Sequence, residues 1–238
     1  MEKATGRAGL SSAPVVEVTR SLLTCGVIAG PLYVALGLIQ ALIRPGYDPT
    51  RHDLSLLSNG GLGWIQIANF VVTGLLVIAG AAGMRRAIQG TRGGTWGPLL
   101  LGLYGLGLIS AGIFVADPMN GFPPGTPAGP PVNPTGHGFM HILSGAVGFL
   151  GLISACFVFA RRFWALGQRS WSVFSIVTGL LFFAAFFGIA MGSQAGGATL
   201  VFVTVAFTIA VVLAWTWLSL VAARLRNEQA SAGKDRSR

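Results

Sequence analysis

DPMNGFPPGTPAGPPVNPTGHGFMHILSGAVGFLGLISACFVFA, residues 117–160, is the stretch whose reading decides the fold. Its front half holds seven of the chain's twelve prolines and two of its three histidines, His137 and His141. Its back half, from His137 to Ala160, carries no Asp, Glu, Lys or Arg. At the helical rise those residues span ~36 Å, enough to cross the hydrocarbon core of a bilayer. Another apolar run, ending IFVAD at Asp117, comes before the prolines. The unit is therefore two membrane helices joined by a proline-rich loop, with Asp117 at one mouth and His137 and His141 at the other.

The rest of the chain repeats this logic. Of 238 residues, 53% are hydrophobic and 10% charged, with a mean hydropathy of +0.69. Soluble domains carry about 25% charged residues; a water-soluble fold of this size has no interior large enough for so much apolar surface. Six apolar segments are predicted as helices, at about 21–43, 62–84, 95–116, 137–160, 170–191 and 198–223. The fold class is all-α: a polytopic bundle of six transmembrane helices over residues 21–223, with an N-terminal tail, 1–20, and a basic C-terminal tail, 224–238. The first apolar run is too long for a signal-peptide core and is followed by Arg44-Pro45, so it reads as a retained helix. Cys25 and Cys156 lie inside apolar runs and imply no disulfide framework.

Charge sets the expected orientation. With the N-terminus inside, fourteen of the sixteen Lys and Arg residues fall on the inner side, and only Arg44 and Arg51 on the outer. That is the positive-inside pattern, and it places both termini in the cytoplasm of a multi-pass plasma-membrane protein. The net charge of +9 is thus a topology signal and not a nucleic-acid footprint.

The polar residues concentrate on the opposite, outer side. His52, His137, His141, Asp48, Asp53 and Asp117 all fall there, and Gln40, Gln66 and Asn69 lie in the adjoining helix ends. Polar groups at membrane depth are costly unless paired or hydrated, so an outward-facing polar pocket is expected. It would take a lipid headgroup or a small polar ligand. His137-x-x-x-His141 projects two imidazoles from one helical face. With Asp117 as third ligand and His52 as fourth, the set suits zinc or another divalent metal, which would activate water for hydrolysis at the outer leaflet. The alternative is that these histidines bond loop carbonyls freed by the prolines. Arg44, Asp48, Arg51 and Asp53 form a second constellation. Two guanidinium groups there would clamp a phosphate or carboxylate, or pair with the aspartates and tie a short surface helix, Asp48 to Asn59, to the first span. Gln66, Asn69 and Thr73 share a face of the second helix and read as helix–helix hydrogen bonding or a ligand wall.

The motifs RPGYDP (44–49), RHDLSLL (51–57), GW (63–64), DP (117–118), PPG (123–125) and HGFMH (137–141) resemble bacterial membrane proteins grouped as domain-of-unknown-function family 998. The likeness is clear over the first four helices. It implies a multi-helix integral membrane protein and supplies no activity or catalytic residue. The inventory of His52, His137, His141, Asp117 and Ser55 or Ser144 also resembles membrane hydrolases of the alkaline ceramidase type, without their helix count or motif order. Three function classes follow: a ligand-binding or hydrolytic membrane protein using the outer polar groups, a small-solute transporter, and a non-catalytic partner or sensor. The inner half shows almost no polar residues, which leaves a transporter without a visible path.

The charge asymmetry makes a direct prediction. In a chain stripped of Cys25 and Cys156, a cysteine placed between Gly121 and Pro134 will react with a membrane-impermeant maleimide in intact cells. Labelling only after permeabilisation would reverse the orientation.

Overall fold

The computed structural model describes residues 13–131 and 133–235; of the expected tails, residues 1–12 and 236–238 lie outside them. Among the described residues six long helices follow in order: α1 (Ala13–Ile43), α2 (Gly63–Ile88), α3 (Trp96–Ile113), α4 (Gly136–Ala165), α5 (Arg169–Gly192) and α6 (Gly197–Asp235). All six are long and apolar enough to span a membrane. A 3-10 turn, Leu54–Ser58, lies between α1 and α2.

The helices overrun the expected boundaries at the arginine-rich end. α1 begins at Ala13 rather than Ser21, α2 continues past Arg85-Arg86 to Ile88, and α6 runs to Asp235 instead of stopping at Ala223. Leaving the hydrocarbon does not end a helix; a residue that breaks helical geometry does. Gly90, at φ +77°, follows the end of α2, and Gly167, at φ +71°, follows the end of α4. These are left-handed positions, where glycine is favoured. Arg85, Arg86 and Arg162 sit in last turns, where the helix dipole favours cations. α3 is shorter than expected, ending at Ile113 rather than Ala116.

Each helix packs on its sequence neighbours, and α6 closes the ring onto α1. Between helices in lipid the hydrophobic effect supplies little drive, so close van der Waals packing matters most. Glycines provide it. A Cβ on Gly80 would lie 2.7 Å from the Cα of Gly26, joining α2 to α1. A Cβ on Gly74 would lie 2.7 Å from the Gly105 carbonyl oxygen, joining α2 to α3. Gly107 meets Gly148 between α3 and α4, and Gly30 meets the Trp215 carbonyl where α1 joins α6.

Aromatic side chains fill the ring. Tyr33 stacks on Trp215 with centroids 4.6 Å apart, and Tyr104 lies 5.5 Å from the same indole. Phe149 meets Phe182, Phe186 and Phe207 edge to face. Trp217 donates its indole N–H to Ser175 Oγ at 2.9 Å. The outer surface is apolar: Leu42, Ile142, Phe202 and Met191 are exposed. About half of the residues of α5 are exposed, so one side of that helix faces whatever surrounds the ring. The match for such a surface is lipid.

Substitution Gly74→Val will force α2 and α3 apart and cost about 1–3 kcal/mol, the usual range for overpacking. Gly102→Val, at a site where an added Cβ would meet nothing within 4 Å, will leave the unfolding midpoint unchanged. Thermal unfolding of the two detergent-purified variants separates the cases.

Candidate functional site

The two long connections, 44–62 and 114–135, interlock over one end of the ring. In the first, the Asp48 carboxylate accepts from the Thr50 backbone N–H at 2.9 Å and its hydroxyl at 2.7 Å. These bonds hold the Asp48 carboxyl below the usual carboxylate range, against a smaller opposing effect of burial. Asp53 then caps the 3-10 turn by accepting from the N–H and the hydroxyl of Ser55. The single surface helix expected from Asp48 to Asn59 is therefore two capped turns. Two competing aspartate caps five residues apart start two elements instead of one. Leu54, Leu56 and Leu57 are buried beneath them, and the turn packs on both α1 and α2.

Arg44 does not pair with Asp48 or Asp53; the ion pair among the described residues is Arg224 with Glu228. Buried at 7% exposure, the Arg44 guanidinium donates to the carbonyls of Leu57 and Asn59 instead. Desolvation lowers its proton affinity from the ordinary arginine value. Arg51 is exposed on the first turn. The expected arginine clamp is thus one arginine closing a loop through carbonyls.

The proline-rich connection is folded on itself. Asn120 N–H donates to Gly129 O at 2.8 Å and Gly121 N–H to Pro127 O at 3.1 Å. This turn drives Phe122, 0% exposed, between Tyr47, His52 and the Arg44 guanidinium, each with its centre 5.4 Å from the ring. Pro123 and Pro124 lie against Gly60 and Gly46, where side chains would block them. His52 locks the two connections together. Its Nδ1 accepts from the Asp48 N–H at 2.9 Å, which leaves Nε2–H to donate to Asn120 O at 2.9 Å.

Asp117, His137 and His141 lie at the junction of α3 and α4, and each has a separate task. Asp117 accepts from the Thr135 N–H at 2.9 Å and its hydroxyl at 2.6 Å. Thr135 in turn accepts from Gly138 N–H as the N-cap of α4. His141 donates Nδ1–H to Ala111 O at 3.1 Å and Phe114 O at 2.8 Å, closing the end of α3. His137 is exposed and lies edge-on to Phe114. Among the described residues no three His, Cys, Asp or Glu side chains are placed to hold a metal. The geometry fits the carbonyl-bonding alternative for His52 and His141. Ser144 bonds Ser110 and the Met140 carbonyl, and Ser55 bonds Asp53, so neither serine has a histidine partner among the hydrogen bonds of the described residues.

A cluster of incompletely satisfied polar groups lies below the cap. Gln40, at the end of α1, donates to Gln66 Oε1 at 2.9 Å and to Leu36 O at 3.1 Å. Asn69 donates to Gln66 Oε1 at 3.3 Å and to Tyr33 O at 3.2 Å. Thr73 back-bonds to Asn69 O. None of the three amides is more than 2% exposed. Yet Gln40 Oε1 and Asn69 Oδ1 have no hydrogen-bond partner among the described residues, and neither has the indole nitrogen of Trp215, which stacks on Tyr33. Gln66 Nε2 makes no well-formed hydrogen bond, although the Tyr33 hydroxyl lies beside the Gln66 side chain. Two acceptors and the indole donor thus remain open between α1, α2 and α6, with Gln66 Nε2 engaged no more than weakly. Gln66 and Asn69 were legible as a polar stripe. Tyr33, Tyr104 and Trp215 were not, because buried aromatics read from sequence as ordinary core.

A family model described as Protein of unknown function (DUF998) matches residues 27–224, and the chain belongs to that family. No curated protein and no solved structure matches it.

His52→Ala will leave the Asn120 carbonyl and the Asp48 N–H unpartnered under the cap and cost about 1–3 kcal/mol. His137→Ala, at an exposed site, will stay within about 0.5 kcal/mol of the parent, and chelators will move neither variant. A chelator-induced fall in the parent's unfolding midpoint would restore the metal reading.

Proposed function

We propose that this integral membrane protein binds a small, uncharged polar ligand among the buried amides of Gln40, Gln66 and Asn69 beneath the interlocked connections, and not at the aspartate–histidine mouth. The carrying observation is the set of open amide atoms on Gln40, Gln66 and Asn69. Each buried, unpaired polar group costs about 1–3 kcal/mol. Joining α1 to α2 needs no such expense, since Gly26 and Gly80 already bring the backbones into contact. Local inconsistency of this kind is characteristic of functional sites. The amides carry no formal charge, and the open atoms include both donors and acceptors, which favours a neutral ligand with both. The Tyr33–Trp215 stack would supply a flat apolar wall. Leu54, Leu56 and Leu57 are buried where the 3-10 turn packs on α1 and α2, so entry from the loop side requires the cap to shift. With the arginine-rich end in the cytoplasm of the plasma membrane, as the charge distribution favours, that cap faces outward.

The test uses thermal unfolding of the protein in nanodiscs with a panel of neutral hydrogen-bonding solutes, such as glycerol, urea and nicotinamide, against ionic solutes of similar size. At least one neutral class will raise the midpoint of the parent by several degrees. Gln40→Leu with Gln66→Leu and Asn69→Leu will abolish that shift while remaining as stable as the parent, because paired polar groups replaced together by apolar ones of similar shape are nearly neutral. If the triple variant is strongly destabilised and no solute shifts the parent, the amides are a packing network only.

A further inference from the structure

The arginine-rich end carries a second candidate site, independent of the buried amides. Where α5 meets α6, Trp171, Leu220, Arg224, Asn227, Glu228 and Ser231 line a groove of about 600 Å³. The lining on α6 changes character along the helix. Leu220 is 43% exposed and belongs to the apolar span, whereas Asn227, Glu228 and Ser231 are polar. From Leu220 to Ser231 the rise is about 16 Å. The groove therefore passes from an apolar wall to a polar one over roughly the distance between upper acyl chain and headgroup.

Arg224 stands at the change of character, and its position is fixed. Its guanidinium lies 5.0 Å from the Trp171 ring centroid and 5.7 Å from that of Phe163. Its Nε is 3.1 Å from Glu228 Oε1. The contact is an ion pair without hydrogen-bond geometry, and among the described residues no hydrogen bond takes the terminal guanidinium nitrogens or the Glu228 carboxylate. Glu228 also lies within electrostatic reach of Arg162. A cation and an anion, one helical turn apart, thus face a membrane-level groove with an amide and a hydroxyl beside them.

We infer that this groove binds a phospholipid whose headgroup carries both a phosphate and a primary ammonium, as phosphatidylethanolamine does. The phosphate takes the free guanidinium N–H groups of Arg224. The ammonium donates to Glu228, and the acyl chains lie along Leu220 and Trp171. A choline headgroup has no N–H to give the carboxylate. A glycerol headgroup leaves Glu228 facing net negative charge.

Native mass spectrometry of the detergent-purified full chain, titrated with phosphatidylethanolamine, phosphatidylcholine and phosphatidylglycerol of identical acyl chains, tests this. The parent will retain phosphatidylethanolamine about tenfold better than the other two, the discrimination expected from one charge-assisted hydrogen bond. Glu228→Gln, at a half-exposed side chain whose loss leaves the fold intact, will erase the preference for ethanolamine over glycerol. Arg224→Gln will lower retention of all three. Equal retention of the three lipids by the parent, or a preference unchanged in Glu228→Gln, overturns the inference. Soluble phosphoethanolamine binding as tightly as the lipid would also overturn it, because the acyl wall would then contribute nothing.

Discussion

Close backbone contact at glycine is the constraint on which this structure depends. In a bilayer, neighbouring helices gain little from the hydrophobic effect, and what holds them is packing at short range. Gly26 against Gly80, Gly74 against Gly105, Gly107 against Gly148 and Gly30 against the Trp215 carbonyl bring successive helices together around the ring. Backbones that approach so closely leave room inside for large side chains only where a helix contributes them. Tyr33, Tyr104, Phe149, Phe182 and Trp215 occupy that room. The outward faces are left to Leu, Ile, Val and Phe, which meet lipid.

The cap obeys a second constraint, the satisfaction of backbone polar groups where prolines remove donors. The connection 114–135 is rich in prolines and lies over helix ends that already have unpaired carbonyls. His52, His141, Arg44 and Asp117 each supply what the backbone lacks. His52 reaches Asn120 O, His141 the last carbonyls of α3, and Arg44 the carbonyls of Leu57 and Asn59. Asp117 holds Thr135 at the start of α4. Residues with the composition of a metal or hydrolase site are thus consumed as connectors. The open hydrogen-bonding capacity lies deeper, on side chains with no catalytic reputation.

That contrast gives the buried amides their interest. The chain satisfies most of the polar groups in its cap and leaves several atoms open in its interior, the amide ones about 5–10 Å from the capped ends of α1 and α2. Arg162, Gln168, Thr204 and Arg224 each leave one buried atom without a hydrogen bond among the described residues as well. The amides differ in that their unpaired atoms are clustered, and a cluster of local inconsistency marks a place.

The sequence alone determined the architecture. Length of the apolar runs, the six of them, and their all-helical character follow from hydropathy, because in lipid only a helix or a closed barrel can satisfy its backbone. The motifs around Arg44–Leu57 and His137–His141 were enough to show the family likeness. Helix ends at the arginine-rich face differ from the hydropathy boundaries, because hydropathy marks where lipid ends and not where helical hydrogen bonding ends. The short helix expected after Asp48 is split, because two aspartate caps compete and only the packing of Leu54, Leu56 and Leu57 under the cap decides between them. Which histidine takes which role lay beyond the sequence. An i, i+4 pair shows that two imidazoles share a helical side; it does not show that His141 turns to the carbonyls of α3 while His137 stays exposed. Tertiary structure decided that, and it also decided which amides lack partners. A hydrogen bond depends on distances of a few tenths of an ångström between residues such as Gln40 and Gln66, which are 26 positions apart in the chain.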